Sequence, residues 1–403
     1  MTVEEPRKGW RRVNLKDVCR EITVGHVGPM ATEYVDEGIP FLRSQNVQAF
    51  RVELSELKYV SPHFHRRLKK SAIGPGDVLV VRTGYPGTAC VVPESLSVAN
   101  CADLVIIRPS AELDSRFLAD VFNSAWGRGT VAGKLVGVAQ QHFNIGAARE
   151  LLINLPPLPT QRRIASILSA YDDLIENNTR RIAILEEMAR ALYREWFVHF
   201  RFPGHEKVKM MESPLGPIPQ GWEVRKVKAL IKRLTSGRVY KDADVSSVGA
   251  VPVVDQARGD FLGFHDNAPD HVASAEQPIV VFGDHTCKMQ LMIEPFSVGP
   301  NVVPFASAND QPILFLYFLA RDLVETREYK RHWTELTNKT VVVAPHELSL
   351  RFAAITLPML QQATALTKTN LNLVRTRDLL LPKLISGEIN VSESDIAVQE
   401  EIA

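Results

Sequence analysis

The sequence predicts an α+β fold: two globular α/β units joined by two long antiparallel helices that form an intramolecular coiled coil, arranged as a pseudo-two-fold repeat. Three observations carry the prediction. The stretches from 160 to about 200 and from about 347 to 387 superpose without a gap at a displacement of 188 positions, so that Ile164, Tyr171, Asn178, Leu185 and Leu192 fall on Phe352, Met359, Leu366, Leu373 and Leu380. These positions recur every seventh residue, the spacing of a coiled-coil seam, and Ile167, Leu168, Leu174, Ile175, Ile182 and Met188 widen it into a packing face. The repeat is also larger than the helix. Gly9-Trp10 opens a segment that closes at Gly25, and Gly221-Trp222 opens one of the same length that closes at Gly237. The displacement is 212 there and 188 at the helices, so the second globular unit is 24 residues shorter, a difference expected in loops.

Taken in order, residues 1–158 are the first unit, with 1–8 polar and loose. Ile39-Pro40-Phe41-Leu42, 77–82 (DVLVVR) and 104–107 (LVII) are short apolar runs bounded by Gly and Pro, as strands are. Residues 117–126 have helical periodicity, and 151–155 is a last strand halted by Pro156-Pro157. The first helix occupies 159–200, with Thr160 as its N-cap. Four prolines and two glycines mark 201–220 as a linker. The second unit, 221–344, repeats the plan: 278–282 (PIVVF) stands where DVLVV stood, 315–323 matches the helix at 117, and 341–343 is the last strand. The second helix covers 345–387. Pro358 removes a backbone hydrogen bond and is expected to kink it, and Gly387 stops it. The tail, 388–403, is acidic and frayed.

A lone amphipathic helix of this length cannot bury its stripe, whereas two copies bury each other's. Antiparallel pairing places the globular units at opposite ends, about 50 Å of helix apart, a reach that suits two half-sites on one side of a DNA duplex. Asn178, polar among apolar seam residues, is the type that fixes register at a cost in stability.

Net charge is +1, so no global field advertises a polyanion and such binding must come from local patches. The four cysteines (Cys19, Cys90, Cys101, Cys287) never fall at C-x-x-C spacing. Neither a metal site nor a disulfide framework is expected, and a reducing cytoplasm fits. No signal-peptide core opens the chain and no apolar run of 18 exists, so no membrane span is expected. The nearest approach to a P-loop, 127–135 (GRGTVAGKL), has Arg128 where Gly is needed and Leu135 where Ser or Thr is. Glu56-Leu57-Lys58 with Asp36 upstream has the residue types of a magnesium-dependent nuclease; solvated charges on a strand edge are the plainer reading.

The strings PPLPTQRRIASILSAYDDLIENN and EEMARALYREWFVHFRFPG, then RFAAITLP and RDLLLPKLISGEINV, together with the doubled plan, resemble the conserved regions of the specificity subunits of Type I restriction–modification systems. The resemblance covers essentially the whole chain, and departures fall in the globular units, the family's variable target-recognition domains. It implies a non-catalytic subunit whose two target-recognition domains each read half of a bipartite site on double-stranded DNA. It implies helices that set the spacing and dock two methyltransferase subunits, which carry S-adenosylmethionine and methylate adenine at N6. Restriction subunits, using ATP and Mg, join for cleavage. This chain itself would hold no cofactor and no metal. The alternatives are a self-sufficient Mg-dependent nuclease using Asp36, Glu56 and Lys58, and a coiled-coil scaffold that binds no DNA.

Phosphate contacts call for Lys and Arg. Arg66, Arg67, Lys69 and Lys70 form one cluster; Arg225, Lys226, Lys228, Lys232, Arg233, Arg238 and Lys241 form another. Base readout calls for paired donors and acceptors. Loops rich in them hold Arg43, Gln45 and Asn46; Arg82, Thr83 and Tyr85; and Gln140, Gln141 and Asn144 in the first unit. In the second they hold Gln256 and Arg258; His285 and Lys288; and Asn338 and Lys339. Each loop flanks a strand that can aim it; the alternative for each residue is a satisfied turn.

Overall fold

A computed structural model describes residues 7–135, 142–256, 259, 261–326 and 330–391. The chain divides into two compact units, Met1–Asn177 with Asn370–Ala403, and Asn178–Thr369. Each long helix therefore contributes one part to each unit.

The first unit is built on a four-stranded antiparallel sheet in the order Ala89–Val91, Val78–Val81, Leu104–Pro109, Cys19–Val24. Its central strands are apolar throughout Val78–Val81 and from Leu104 to Ile107, because both faces are covered there. Val78, Val80, Val105 and Ile107 point into the core shared with the helices. Leu79, Val81, Leu104 and Ile106, one residue out of phase, point into a second core. A five-stranded sheet runs Tyr34–Val35, Lys58–Val60, Ile39–Leu42, Ala99–Cys101, Ala72–Ile73, with Ile39–Leu42 and Ala99–Cys101 parallel. Arg11–Asn14 pairs antiparallel with Leu152–Leu155, the predicted last strand.

The second unit repeats this topology. Its four-stranded sheet runs Met289–Met292, Ile279–Gly283, Val302–Ser307, Ile231–Arg233, and Val280, Phe282 and Phe305 face one core while Val281 and Val302 face another. A three-stranded sheet keeps the parallel pair, Val251–Val254 with Ser297–Val298, and Glu223–Lys226 pairs with Thr340–Val343. The two edge strands shrink to single antiparallel bridges, Ser246 with Phe264 and His271 with Phe296, and among the described residues no counterpart of the Val47–Gln48/Arg51–Val52 hairpin or of the helix Pro62–Arg67 is seen. The shortening is thus an excision of peripheral elements that leaves the framework intact.

The first long helix runs Leu158–Tyr193 and widens into a π turn at Arg194–Val198; the second runs His346–Ile385. In the first unit they run antiparallel: Asp172 pairs with Arg377 at 2.6 Å, and the Asn370 side chain donates to the Ile175 carbonyl at 3.3 Å. Ile164 and Phe352 are fully buried and Asn178 is buried, while Tyr171, Leu185, Leu192, Met359, Leu366, Leu373 and Leu380 are half-buried. Leu174 and Met188, assigned to the seam from spacing, are instead exposed, so the seam is narrower than the stripe. The first helix starts before Thr160, because Pro159 lies in the first turn, where a missing N–H costs nothing. The second continues through Pro358 and Pro382 and ends at Gly387, whose φ of +76° is the left-handed C′ conformation.

Two further expectations change. Residues 117–126 are not one helix: Ser115–Asn123 ends at Ser124, whose hydroxyl accepts from Gly127 N (3.0 Å) and caps a second helix, Ala125–Ala132. A Cβ at Gly127 would lie 2.0 Å from the Val121 carbonyl oxygen, so the corner needs glycine. Nor is 201–220 a plain linker. It folds as the small hairpin Met210–Met211/Ile218–Pro219, and Phe202 and Ile218 enter the second unit's core beside Trp196 and Phe197. The prolines shape a turn here rather than an unstructured tether.

Candidate nucleic-acid interface

Each unit gathers loops from separate parts of the chain at one end of its central sheet. In the first unit, Ala102 N donates to the Leu42 carbonyl (2.8 Å), drawing the Arg43–Asn46 turn beside Asp103. Phe143 N donates to the Arg82 carbonyl (3.1 Å), and Arg82 Nε donates to the Phe143 carbonyl (3.0 Å). The remaining guanidinium face of Arg82 pairs with the Asp103 carboxylate. A shallow cleft results, lined by Val27, Arg82, Thr83, Asp103 and His142. Tyr85 stands 84% exposed beside it, on a loop bent by Gly84 (φ +85°) and Gly87 (φ +91°).

The basic cluster abuts this cleft. Ser61 Oγ accepts from Phe64 N (3.1 Å) and caps the helix Pro62–Arg67; Phe64 is buried with its ring 5.8 Å edge-on to His26, next to Val27. Arg66, Arg67, Lys69 and Lys70 are all exposed, with Arg67 5.7 Å above the Phe64 ring. The capped helix therefore holds Arg66 and Arg67 outward on a buried aromatic anchor, and the 3-10 turn Lys69–Ser71 that follows adds Lys69 and Lys70.

In the second unit the equivalent loops meet around Asp284. Its N–H donates to the Asn301 carbonyl (2.9 Å), its carboxylate accepts from Trp333 N (2.8 Å), and its carbonyl accepts from His332 N (2.8 Å). Gln256 Oε1 accepts from His285 N (3.0 Å), and Lys288 Nζ donates to the Gly259 carbonyl. Nearby, Arg238 lies 4.6 Å over the Tyr240 ring, which stacks at 4.1 Å and 3° on buried His265. Arg225, Lys226, Lys228, Lys232, Arg233 and Lys241 are exposed as well.

The loops named from sequence therefore converge, but not every residue in them faces outward. Asn46 is buried: its amide donates to the Glu53 carbonyl (2.9 Å) and its Oδ1 accepts from Arg43 N (3.0 Å), so it holds a turn. Asn144 Oδ1 caps the helix Ile145–Arg149 through Ala147 N (2.7 Å). Arg82 is only 13% exposed and is spent on Asp103 and Phe143, and Arg43 donates to the Glu56 carbonyl at 2.7 Å. Gln256 and Lys288 tie the 255–259 and 283–288 loops together, and Lys339 sits 3.7 Å from Glu335. Gln45 and Asn338 are exposed, Thr83 is half-buried, and His285 Nδ1 lies 3.1 Å from the Lys330 carbonyl. Gln140, Gln141 and Arg258 lie outside the described residues. Sequence reasoning missed Asp103 and Val27; His142 lies in the 140–144 loop that it named. A lone acid before an apolar run carries no motif, and only the fold sets Asp103 against Arg82.

Asp36, Glu56 and Lys58 are exposed, and among the described residues no three His, Cys, Asp or Glu side chains gather so that they could hold a metal. Burial pushes the Cys90 thiol up to about 12 and Cys101 higher still, which leaves both unreactive. Among the described residues no helix is long and apolar enough to cross a membrane.

Residues 7–187 match the family model described as the Type I restriction modification DNA specificity domain. The chain is 26% identical over 270 residues to the MjaIX specificity subunit of Methanocaldococcus jannaschii, a match covering 61% of this chain and 62% of that relative's length. It is 23% identical over 315 residues to the MjaX specificity subunit of the same organism, covering 75% of this chain and 71% of the other. The crystal structure of a Type I restriction–modification S subunit from M. genitalium shares the fold, with a TM-score of 0.59 at 14% identity over 95% of this chain and 98% of that one. Matched sequence and shared fold thus agree: over residues 7–187 the chain matches the specificity-domain family, and along most of its length it is similar to Type I restriction–modification specificity subunits.

Proposed function

We propose that this chain is the non-catalytic, DNA-reading subunit of a Type I restriction–modification complex, and that each globular unit reads one half of a bipartite site on double-stranded DNA. The observation that carries the reading is the doubled interface: one framework, twice, gathers loops from the same topological places, while the residues on those loops differ. Two units of one build and different surface suit two half-sites of different sequence. In this reading the helices set the gap between halves and dock two adenine-N6 methyltransferase subunits, which bring S-adenosylmethionine. The exposed Leu174, Ile184, Met188, Leu371 and Leu379 on those helices support docking, since apolar side chains in such number call for a partner. Restriction subunits, with ATP and Mg, complete the assembly, and the cytoplasm is its place. A self-sufficient nuclease gains no support: Asp36, Glu56 and Lys58 are exposed, and among the described residues no three His, Cys, Asp or Glu side chains gather to hold the metal it would need.

The test is a methylation map. The chain is expressed with its neighbouring methyltransferase gene in an unmethylated host, and N6-methyladenine is located by sequencing. Two short specified halves around a fixed unread gap are expected, and exchanging one globular unit should rewrite one half only. An assembled complex that writes no motif would overturn the reading in favour of the scaffold. Binding offers a second arm: converting Arg66, Arg67, Lys69 and Lys70 to Gln should flatten the slope of log affinity against log salt by about 3 to 4.

A further inference from the structure

We propose that Asp103 reads a base in the first unit's half-site, and that the base is a cytosine; the proposal rests on the DNA-reading function above. Several observations meet at this side chain. Its carboxylate is 39% exposed in the cleft formed by the loops of the interface, beside a basic helix built to meet phosphates. An exposed carboxylate in that place repels the DNA backbone unless it is both neutralised and used. Arg82 neutralises it. The guanidinium, 13% exposed, is held through Nε by the Phe143 carbonyl and through a terminal nitrogen by Asp103, so it is largely committed within the protein and serves as a positioning residue. It leaves Asp103 as a fixed acceptor facing outward.

An ionised carboxylate only accepts hydrogen bonds. In the major groove the donors on base edges are the N4 amino group of cytosine and the N6 amino group of adenine. Adenine sets its N7 acceptor beside N6, which faces a carboxylate with like partial charge, whereas cytosine sets only an apolar C5–H beside N4. Val27, 66% exposed on the same cleft, offers an apolar wall suited to that C5 edge. The described residues of the second unit place no such pair at the equivalent position. Its loop carboxylate, Asp284, is 13% exposed and turned onto Trp333 N, and Asn301 occupies the place before the strand that Asp103 holds in the first unit.

The experiment is the methylation map repeated with Asp103→Ala and Asp103→Asn in the full complex, with melting curves to check each fold. The wild-type motif should hold a fixed cytosine in one half. Asp103→Ala should relax that single position, with discrimination there falling about tenfold or more, and leave the other half unchanged. Asp103→Asn keeps an oxygen for Arg82 and adds a donor, so it should admit adenine at that position; it carries the test if the alanine variant fails to fold. A uniform loss of methylation without a change of motif, or an unchanged motif with unchanged preference, overturns the proposal and leaves the function standing. A wild-type complex that assembles and writes no motif overturns the two together.

Discussion

The two units hold the long helices by different chemistry. In the second, the grip is aromatic: Phe197 lies 4.8 Å from Phe315 and 5.1 Å, edge-on, from Phe352, and Tyr193 stacks on Phe318 at 5.8 Å. In the first, the equivalent seam residues are aliphatic (Ile164, Leu168, Leu381, Leu384) and polar groups complete the grip. Arg377 pairs with Asp172 and lies 4.4 Å above the Phe50 ring. Asp120, in the helix matching the one that carries Phe318, is 5% exposed. One framework thus tolerates two solutions, and they should respond differently to truncation and pH. Rings supply area and shape. An ion pair supplies direction at a cost in desolvation, and its loss is expensive only when one partner is left behind.

The largest effect should come from the aromatic grip. Phe352→Ala removes a fully buried ring and should destabilise the second unit by about 3 to 5 kcal/mol, read as lost hydrogen-exchange protection across 178–369. Its counterpart Ile164→Ala should cost the first unit about 2 to 3 kcal/mol. Equal losses would mean that the rings add nothing beyond their area, and the contrast between the units would fall.

Next in size is Arg377→Ala, which strands Asp172 in a place where burial already raises its carboxyl against the pull of Arg377. A loss of about 2 kcal/mol confined to the first unit is expected, below the range for fully buried pairs because both side chains keep some contact with water. The double change Arg377→Met with Asp172→Leu should recover most of it. If the double variant is as weak as the single, the pair contributes direct attraction rather than mutual satisfaction.

Much of this architecture is legible in the sequence, because a repeat announces itself through periodicity. The helices, the central strands and the positions of the loops all follow from apolar spacing and Gly/Pro punctuation. Less legible is anything decided by contact across the fold. Arg82 and Asn46 carry the residue types of base readers, yet Arg82 is claimed by Asp103 and Asn46 by its own turn. Leu174 and Met188 match the seam by spacing but face outward, since spacing gives a stripe and only the partner's width decides how much of it is covered. Residues 201–220 are rich in proline, which marks turns in linkers and hairpins alike. Asp120 sits in a helix whose apolar period hides it.

That buried acid supplies the finest separation between the units. Burial raises the Asp120 carboxyl well above its ordinary 3.8, with Asp172 and Asp114 adding to the rise and Arg377 and Arg116 opposing it. A carboxyl raised in the fold favours the fold while protonated: its contribution is present below pH 3.8 and is lost as pH climbs through the raised value. The second unit carries the opposite sign. His271, buried against Phe296 at 4.8 Å, has its pKa lowered from 6.5 by burial, so its contribution is present above pH 6.5 and is lost as pH falls through the lowered value. Hydrogen exchange, corrected for the intrinsic pH dependence of amides, should therefore show the first unit weakening towards alkaline pH and the second towards acid. Asp120→Asn should flatten the first slope alone, gaining stability at neutral and higher pH by less than either truncation costs. If the slope survives that substitution, Asp172 is the group that sets it, and Asp172→Asn should then flatten it despite losing charge against Arg377.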